Sequence, residues 1–337
     1  MIIEEAIIKL SKRENLSDEI IRKSFIEIIE GKASDVQISA FLMGLSVKGE
    51  TEEEITETVR LFREYAVKIN APEGTIDVVG TGGDRSGTFN ISTATAFVLA
   101  GAGAPVAKHG NRSASSLCGS IDVLEQIGIK VDMKPETAEK CLWECGITVL
   151  FAPLYHPAMK RVVPIRKELK IRTIFNILGP MLNPAQVKRL LLGIFSKDYM
   201  EVIAKVLLRL GVEDVIVIHS EEGLDEASIS GKTYIARAKN GKIDLLTITP
   251  EDAGLKRASI EEIKGADKIE NAKIILEILK GSEGPKTDIV LLNSALALMV
   301  AGKASDLKEG VEIAKESIKS GRAYEKFETL KKLSNAL

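Results

Sequence analysis

The strongest constraint on this chain is a change of periodicity at Asn70-Ala-Pro-Glu-Gly74. Before it, every hydrophobic pattern is helical. Ile20, Ile21, Phe25, Ile28 and Ile29 recur with the spacing of one helix face, and Ser17 stands before Asp18 and Glu19 as an N-cap with acids against the helix dipole. Ser34 with Gln37 and Thr51 with Glu54 read as capping boxes, the second opening a helix that should run to about Lys68. After the break, short β-branched runs alternate with helix-length segments. Strands are expected at Thr75–Val79, Ala104–Lys108, Ile147–Phe151, Leu190–Phe195 and Val215–His219. Helices are expected at Ile91–Ala100, Ser120–Ile127, Glu136–Glu144 and Tyr199–Leu210. Such alternation predicts an α/β fold, a mostly parallel central sheet covered by helices, beside a small all-helical domain.

Two segments leave the alternation. Tyr155 to Ala185 holds Pro, Arg and helix-like pieces but no strand, so it should depart from the sheet and pack on the N-terminal helices. Thr233 to Ile248 alternates around Lys239-Asn-Gly, the sequence of a type I′ hairpin. From about Asn293 onward the chain reads as helical. The expected division is a small helical domain at 1–70, joined by part of about 155–185, and a large domain at 71–337. At about 150 residues per domain, 337 residues agree with two.

With 45% hydrophobic residues the chain is not disordered. Its 46 Lys and Arg against 48 Asp and Glu leave no basic excess for nucleic acid, so an anion must be bound by locally placed groups. The longest uncharged stretch, Ser86 to Ala107, is broken by Asn, Ser, Thr, Gly and Pro, which predicts no membrane span and a cytoplasmic protein. Cys118, Cys141 and Cys145 lack the spacing of a disulfide framework or a zinc site and read as small packing residues.

Three loops carry chemistry. Gly80-Thr-Gly-Gly-Asp84 follows a strand, and Gly87-Thr-Phe-Asn-Ile-Ser-Thr93 leads into a helix of small residues. Taken alone, this reads equally as a phosphate cradle on a helix N-terminus or as a tight strand-to-helix turn. It is neither a dinucleotide fingerprint nor a P-loop. Lys108-His-Gly-Asn-Arg112 sets two cations at the next strand end, with Ser115, Ser116 and Ser120 beyond. A polyanion requires such a set. Gly223-Leu-Asp-Glu226 follows the strand at Val215–His219; opposite a polyphosphate, Asp225 and Glu226 suit Mg²⁺, which prefers oxygen ligands and bridges to substrate phosphates. Arg161, Arg166 and Arg172 are each suited to carboxylate recognition, and the sequence does not choose among them. His156, before a proline, reads as a packing residue rather than a base.

In this order the segments resemble the anthranilate phosphoribosyltransferase family, of the nucleoside phosphorylase-like phosphoribosyltransferase fold. The resemblance rests on the three loops together with Gly119-Ser120, Asp122-Val-Leu-Glu125, Phe151-Ala-Pro153, His156-Pro-Ala-Met159, Arg172-Thr-Ile-Phe-Asn176 and Leu178-Gly-Pro180. It implies transfer of a phosphoribosyl group from phosphoribosyl pyrophosphate (PRPP) to the amine of anthranilate in tryptophan biosynthesis, by a Mg²⁺-dependent homodimer paired through its small domains. By resemblance, Gly80, Gly83, Asp84, Thr88, Asn90, Ile91, Ser92, Thr93, Lys108, Arg112, Ser116 and Ser120 belong to the PRPP site. Asn111 and Arg166 would contact anthranilate. Two Mg²⁺ ions per subunit would be held, one by Ser92 and Glu226, the other by Asp225 and Glu226. The family pattern is departed from at Arg85, Leu117 and Lys170. Because the anthranilate amine is neutral at pH 7, no side-chain nucleophile or base is expected. Two rival readings remain at this level: a pyrimidine nucleoside phosphorylase, and a non-catalytic relative that binds nucleic acid.

Overall fold

Four capped helices open the chain: α1 (Ile2–Ser11), α2 (Asp18–Ile29), α3 (Asp35–Lys48) and α4 (Glu52–Glu64). Ser17, Ser34 and Thr51 accept hydrogen bonds from the amides of Ile20, Gln37 and Glu54, so each chain reversal is fixed at an N-cap. The computed structural model describes every residue except 85, 113–117 and 337. The expectations placed on Arg85, Ser115, Ser116 and Leu117 therefore lie outside the described residues. Helix α4 stops at Glu64, short of Lys68, because the chain is drawn off sideways: the Val67 amide donates to the Tyr155 carbonyl at 2.9 Å.

The second part begins with β1 (Ile76–Gly80), α5 (Ile91–Gly101), β2 (Val106–Gly110), α6 (Ser120–Gln126), α7 (Pro135–Cys145) and β3 (Ile147–Phe151). Strand β2 starts two residues later than its sequence pattern, since Pro105 has no N–H to give a ladder. The chain then leaves the sheet through α8 (Ala152–Tyr155), a 3₁₀ turn at Pro157–Arg161, α9 (Val162–Leu169) and α10 (Phe175–Leu178). It returns as β4 (Arg189–Gly193), α11 (Met200–Arg209), β5 (Asp214–Ser220), β6 (Thr233–Lys239) and β7 (Lys242–Ile248). The hairpin turn has Asn240 and Gly241 both at positive φ, 51° and 74°, as a type I′ turn requires. Four helices follow: α12 (Lys268–Leu279), α13 (Pro285–Val300), α14 (Leu307–Lys319) and α15 (Arg322–Ala336). The helical ending thus begins at Lys268, earlier than Asn293. Asp267 caps α12 by accepting from the amides of Ile269 and Glu270.

The seven strands lie in the order β3-β2-β1-β4-β5-β6-β7, parallel from β3 to β5 and antiparallel beyond. From β1 the chain winds outward to β2 and β3, then returns to place β4 on the other side of β1. The carboxyl ends of β1 and β4 are therefore the topological switch point, where open α/β sheets hold their ligands.

Two hydrophobic clusters cover the two sheet faces. On one, α5 is buried at nearly every position among α12, α13, α14 and α15. The other joins Phe25, Phe41 and Phe62 of the N-terminal helices to Val162, Phe175 and Leu178 of the 152–182 excursion and to Leu190 and Leu192 under the sheet. Phe175 meets Phe25 and Phe62 edge to face at 5.8 and 5.4 Å, so the excursion is anchored in the helical core.

Candidate active site

Gly80 and Gly193 face each other in register at the ends of β1 and β4. Both must be glycine, since a Cβ on either would collide with Asp225. The acidic turn is thus seated directly on the switch point. The Gly82 amide donates to Asp225 Oδ2 at 2.6 Å, and the Ser92 amide, in the first turn of α5, donates to Glu226 Oε1 at 3.2 Å. Lys108, buried in the middle of β2, donates to the Val78 carbonyl at 2.9 Å and to Ser92 Oγ at 3.2 Å. Glycine loop, helix start, lysine and acidic turn therefore converge on one point.

The electrostatics there are unbalanced. Asp225 is pushed above the usual carboxylate range first by burial and then by the charge of Asp84. Glu226 is pushed up by burial and then by Asp225, with Lys108 opposing. Lys108 is itself held below its ordinary value by burial, opposed by Asp77 and Glu226. Three carboxylates share one cleft with a single partly compensating ammonium, an arrangement relieved by a hard cation. Among the described residues no three acidic, His or Cys side chains converge closely enough to hold an ion alone. Mg²⁺ takes oxygen ligands and completes its shell with water and substrate phosphate oxygens. The donor set of carboxylates and the Ser92 hydroxyl fits this ion.

The other expected residues divide. Gly83 has φ of 75°, and Gly82 of 68°, both in the left-handed region that favours glycine. Thr88 Oγ1 lies 3.2 Å from Ser86 Oγ, and the Ser86 amide donates to Asp84 Oδ1 at 3.2 Å. The Asn90 side chain is used as a fastener: its Nδ2 donates to the Cys118 carbonyl at 3.2 Å, and its Oδ1 accepts from Asn271 at 3.1 Å. Ile91 and Thr93 are buried, so Ile91 can offer only backbone, while the Thr93 hydroxyl has no partner among the described residues. Ser120 Oγ donates to the Asn111 carbonyl at 3.3 Å, and Asn111 is exposed. Arg112 is turned outward in this structure, its guanidinium paired with Asp122 at 3.1 Å and Glu125 at 2.6 Å. Arg166, half-buried on α9, lies 5.4 Å over the Phe175 ring, and burial holds its pKa below the ordinary value. Lys170, at the end of α9, has φ of 52°, the left-handed conformation that favours glycine at that position.

Sequence reasoning missed one cation, left a second unranked among three arginines, and gave His156 no partner. Lys264 donates to the Ser86 carbonyl at 2.7 Å across 178 residues, from an irregular segment with no motif. Arg172, undistinguished among three arginines, donates to the Gly83 carbonyl at 2.9 Å. His156 is indeed a packing residue, but its partner is functional ground: its Nε2 lies 3.2 Å from Nε2 of His109, next to Lys108. Burial lowers both rings, His109 to about 3 and His156 to about 4, so both are neutral at pH 7.

Comparison with known proteins agrees with this geometry. The glycosyl transferase family model for the helical bundle domain matches residues 4–66, and that for the a/b domain matches residues 73–324. The anthranilate phosphoribosyltransferase of Aquifex aeolicus is 48% identical over 338 residues, covering 100% of this chain and 99% of that one. The crystal structure of the Thermus thermophilus enzyme superposes with a TM-score of 0.92 at 39% identity, over 98% of this chain and 99% of that one. The Saccharomyces cerevisiae enzyme in complex with PRPP and Mg gives 0.90 at 29% identity, over 99% and 98%. Its complex with 4-fluoroanthranilate gives 0.90 at 27%, over the same shares. The chain therefore belongs to the glycosyl transferase family, and within it to the anthranilate phosphoribosyltransferases.

Proposed function

We infer that this chain transfers the phosphoribosyl group of PRPP to the amine of anthranilate, releasing pyrophosphate, as a step of tryptophan biosynthesis. The carrying observation is the seating of Asp225 and Glu226 against the glycine loop, Lys108 and the α5 N-terminus at the switch point. Full-length relatives with this activity support it. They support neither the pyrimidine nucleoside phosphorylase nor the nucleic-acid-binding alternative.

In this reading Gly80, Gly83, Asp84, Thr88, the 90–93 turn, Lys108 and Ser120 hold PRPP, and Arg112 can join them only by leaving Glu125. Ser92, Asp225 and Glu226 would hold Mg²⁺, two ions per subunit, which would supply positive charge to the pyrophosphate leaving group. The remaining work is positioning: Asn111 and Arg166 orient anthranilate so that its neutral amine faces the ribose carbon, and no base is needed to activate it.

The small domain is residues 1–70 with part of about 155–185, the large domain 71–337. The assembly is a homodimer through the small domain. Val36, Met43 and Val47 support this: they lie along one stripe of α3 and are 79%, 46% and 52% exposed. No helix is long and apolar enough to cross a membrane among the described residues, and we assign the cytoplasm as the site of action. The test of function is loss of anthranilate fluorescence on adding PRPP and Mg²⁺, with pyrophosphate released in equal amount. Fluorescence unchanged by PRPP, or loss that requires inorganic phosphate, overturns the reading.

A further inference from the structure

A loop that binds phosphate through its amides has carbonyls that point elsewhere and must be satisfied. In this chain two of those carbonyls are met by cations from outside the loop. Lys264 holds the Ser86 carbonyl from within the α/β part, where the Gly265 amide also donates to the Gly87 carbonyl at 2.9 Å. Arg172 holds the Gly83 carbonyl from the excursion that is anchored in the helical core.

Arg172 is gripped on both sides. Its guanidinium carbon lies 3.9 Å over the ring of Phe195, just past β4, and the Phe195 amide donates to Thr81 Oγ1 of the same glycine loop at 3.1 Å. Its own carbonyl accepts from Ser46 Oγ of α3 at 3.0 Å. A parallel strut runs beside it: Phe195 packs on Tyr199 with ring centroids 6.0 Å apart, and the Tyr199 hydroxyl donates to Glu50 Oε2, just beyond α3, at 3.2 Å. The planar fork suits this double duty, since guanidinium can stack on an aromatic face while its edge donates.

We propose that Arg172 is a positioning residue that couples the two substrate sites, by joining helix α3 and the segment carrying Arg166 to the Gly83 carbonyl of the phosphate-binding loop. This rests on the proposed function, which places PRPP on the loop and anthranilate against α9. Arg172 need touch neither substrate. Filling the loop fixes the Gly83 carbonyl, which fixes Arg172, which sets α9 six residues earlier in the chain. By thermodynamic reciprocity each substrate site then strengthens the other by the same factor.

The coupling is measured without turnover. Anthranilate is titrated by its fluorescence with and without saturating pyrophosphate and Mg²⁺, and the ratio of the two dissociation constants is the coupling factor. In the wild-type protein the ratio should be about fivefold or more, the lower end of typical allosteric couplings. In Arg172→Ala it should fall to within about twofold of unity, and Arg172→Lys should restore part of it. Lys264→Ala should weaken pyrophosphate binding yet keep the wild-type ratio, because Lys264 grips the loop from the same domain. If Arg172→Ala does not fold, as read from its melting curve, Phe195→Leu removes the stacking platform and must lower the ratio instead. A ratio near one in the wild-type protein, a ratio unchanged in Arg172→Ala, or an equal loss in Lys264→Ala overturns the proposal. Turnover of wild-type protein with PRPP and anthranilate is recorded first, so that failure of the functional reading is seen separately.

Discussion

The Asp225 carboxylate and the two glycines beneath it form a unit, because the turn can sit on β1 and β4 only where those strands end without side chains. Under the proposed function, removing its charge takes away a cation ligand together with the acceptor of the Gly82 amide. Asp225→Ala and Glu226→Ala should each lower kcat by about 10²–10³-fold, the loss typical of one preorganised electrostatic contact in a water-poor site. Stopped assays at saturating Mg²⁺ check this, and unaltered turnover in both variants would remove the metal assignment. Arg166 makes a different prediction. Its guanidinium rests on Phe175, away from the carboxylate cluster, so Arg166→Ala should raise KM for anthranilate by about tenfold or more, the share of a charged hydrogen-bonding partner. KM for PRPP should stay within about twofold, since no step of the phosphate contact passes through Arg166. Equal rises in both constants would place Arg166 elsewhere. At this scale the sequence was informative where chemistry is carried by contiguous motifs, as at 80–84 and 223–226. It was silent on Lys264, whose contact is made across 178 residues and whose neighbours repeat no pattern. Nor did it foretell that Arg112 pairs with Asp122 and Glu125 of α6, a contact made across ten and thirteen residues.

Elements were legible where local chemistry and tertiary packing agree. The β6–β7 hairpin follows from Asn240-Gly241, and α2, α3 and α4 start at their N-caps because a side-chain oxygen meets an otherwise unpaired amide there. Legibility failed at the ends set by distant partners, as where Tyr155 captures Val67 and shortens α4. The joint between β2 and the 3₁₀ turn at Pro157–Arg161 is another long-range feature, made by His109 and His156, and it predicts a pH dependence. Both rings keep pKa values near 3 and 4 when folded, below the ordinary 6.5. Between those limits the unfolded chain binds more protons than the native one, so stability rises with pH and is lost as pH falls from about 6.5 toward 4. Asp77, buried behind Lys108 and held up to about 6, acts in the opposite sense, since its native form keeps a proton that the unfolded chain releases. The histidine share is isolated by difference. His156→Gln should flatten the stability slope between pH 4.5 and 6.5 by up to about 1.4 kcal/mol per pH unit, one proton's linkage. Urea unfolding at three pH values in that window measures it, and parallel curves for the two proteins would show that His156 is not the proton acceptor.

At the scale of the molecule, the near-zero net charge of −2 conceals a division of labour. Cations and carboxylates are gathered where β1 and β4 part, while the helical end presents apolar side chains to solvent. Val36, Met43 and Val47 face outward from α3, whose opposite side is already committed to Phe41, Leu42 and Leu45 in the core. A buried helix needs a second apolar face, whereas a solvated one does not, so the stripe is the surface on which the proposed homodimer is tested. The same helix donates Ser46 Oγ to the Arg172 carbonyl, so the proposed dimer contact would share an element with the crossing segment. Replacing Met43 and Val47 together by Glu should therefore separate the subunits. Ionised carboxylates forced into an apolar contact cost about 4 kcal/mol, roughly a thousandfold in Kd. Sedimentation at micromolar concentration should show the wild-type chain as a dimer and the double variant as a monomer. Helical circular dichroism should be retained, because neither side chain contributes to the buried cluster. A wild-type monomer, or a variant that sediments as the wild type does, would take the dimer contact off this face of α3.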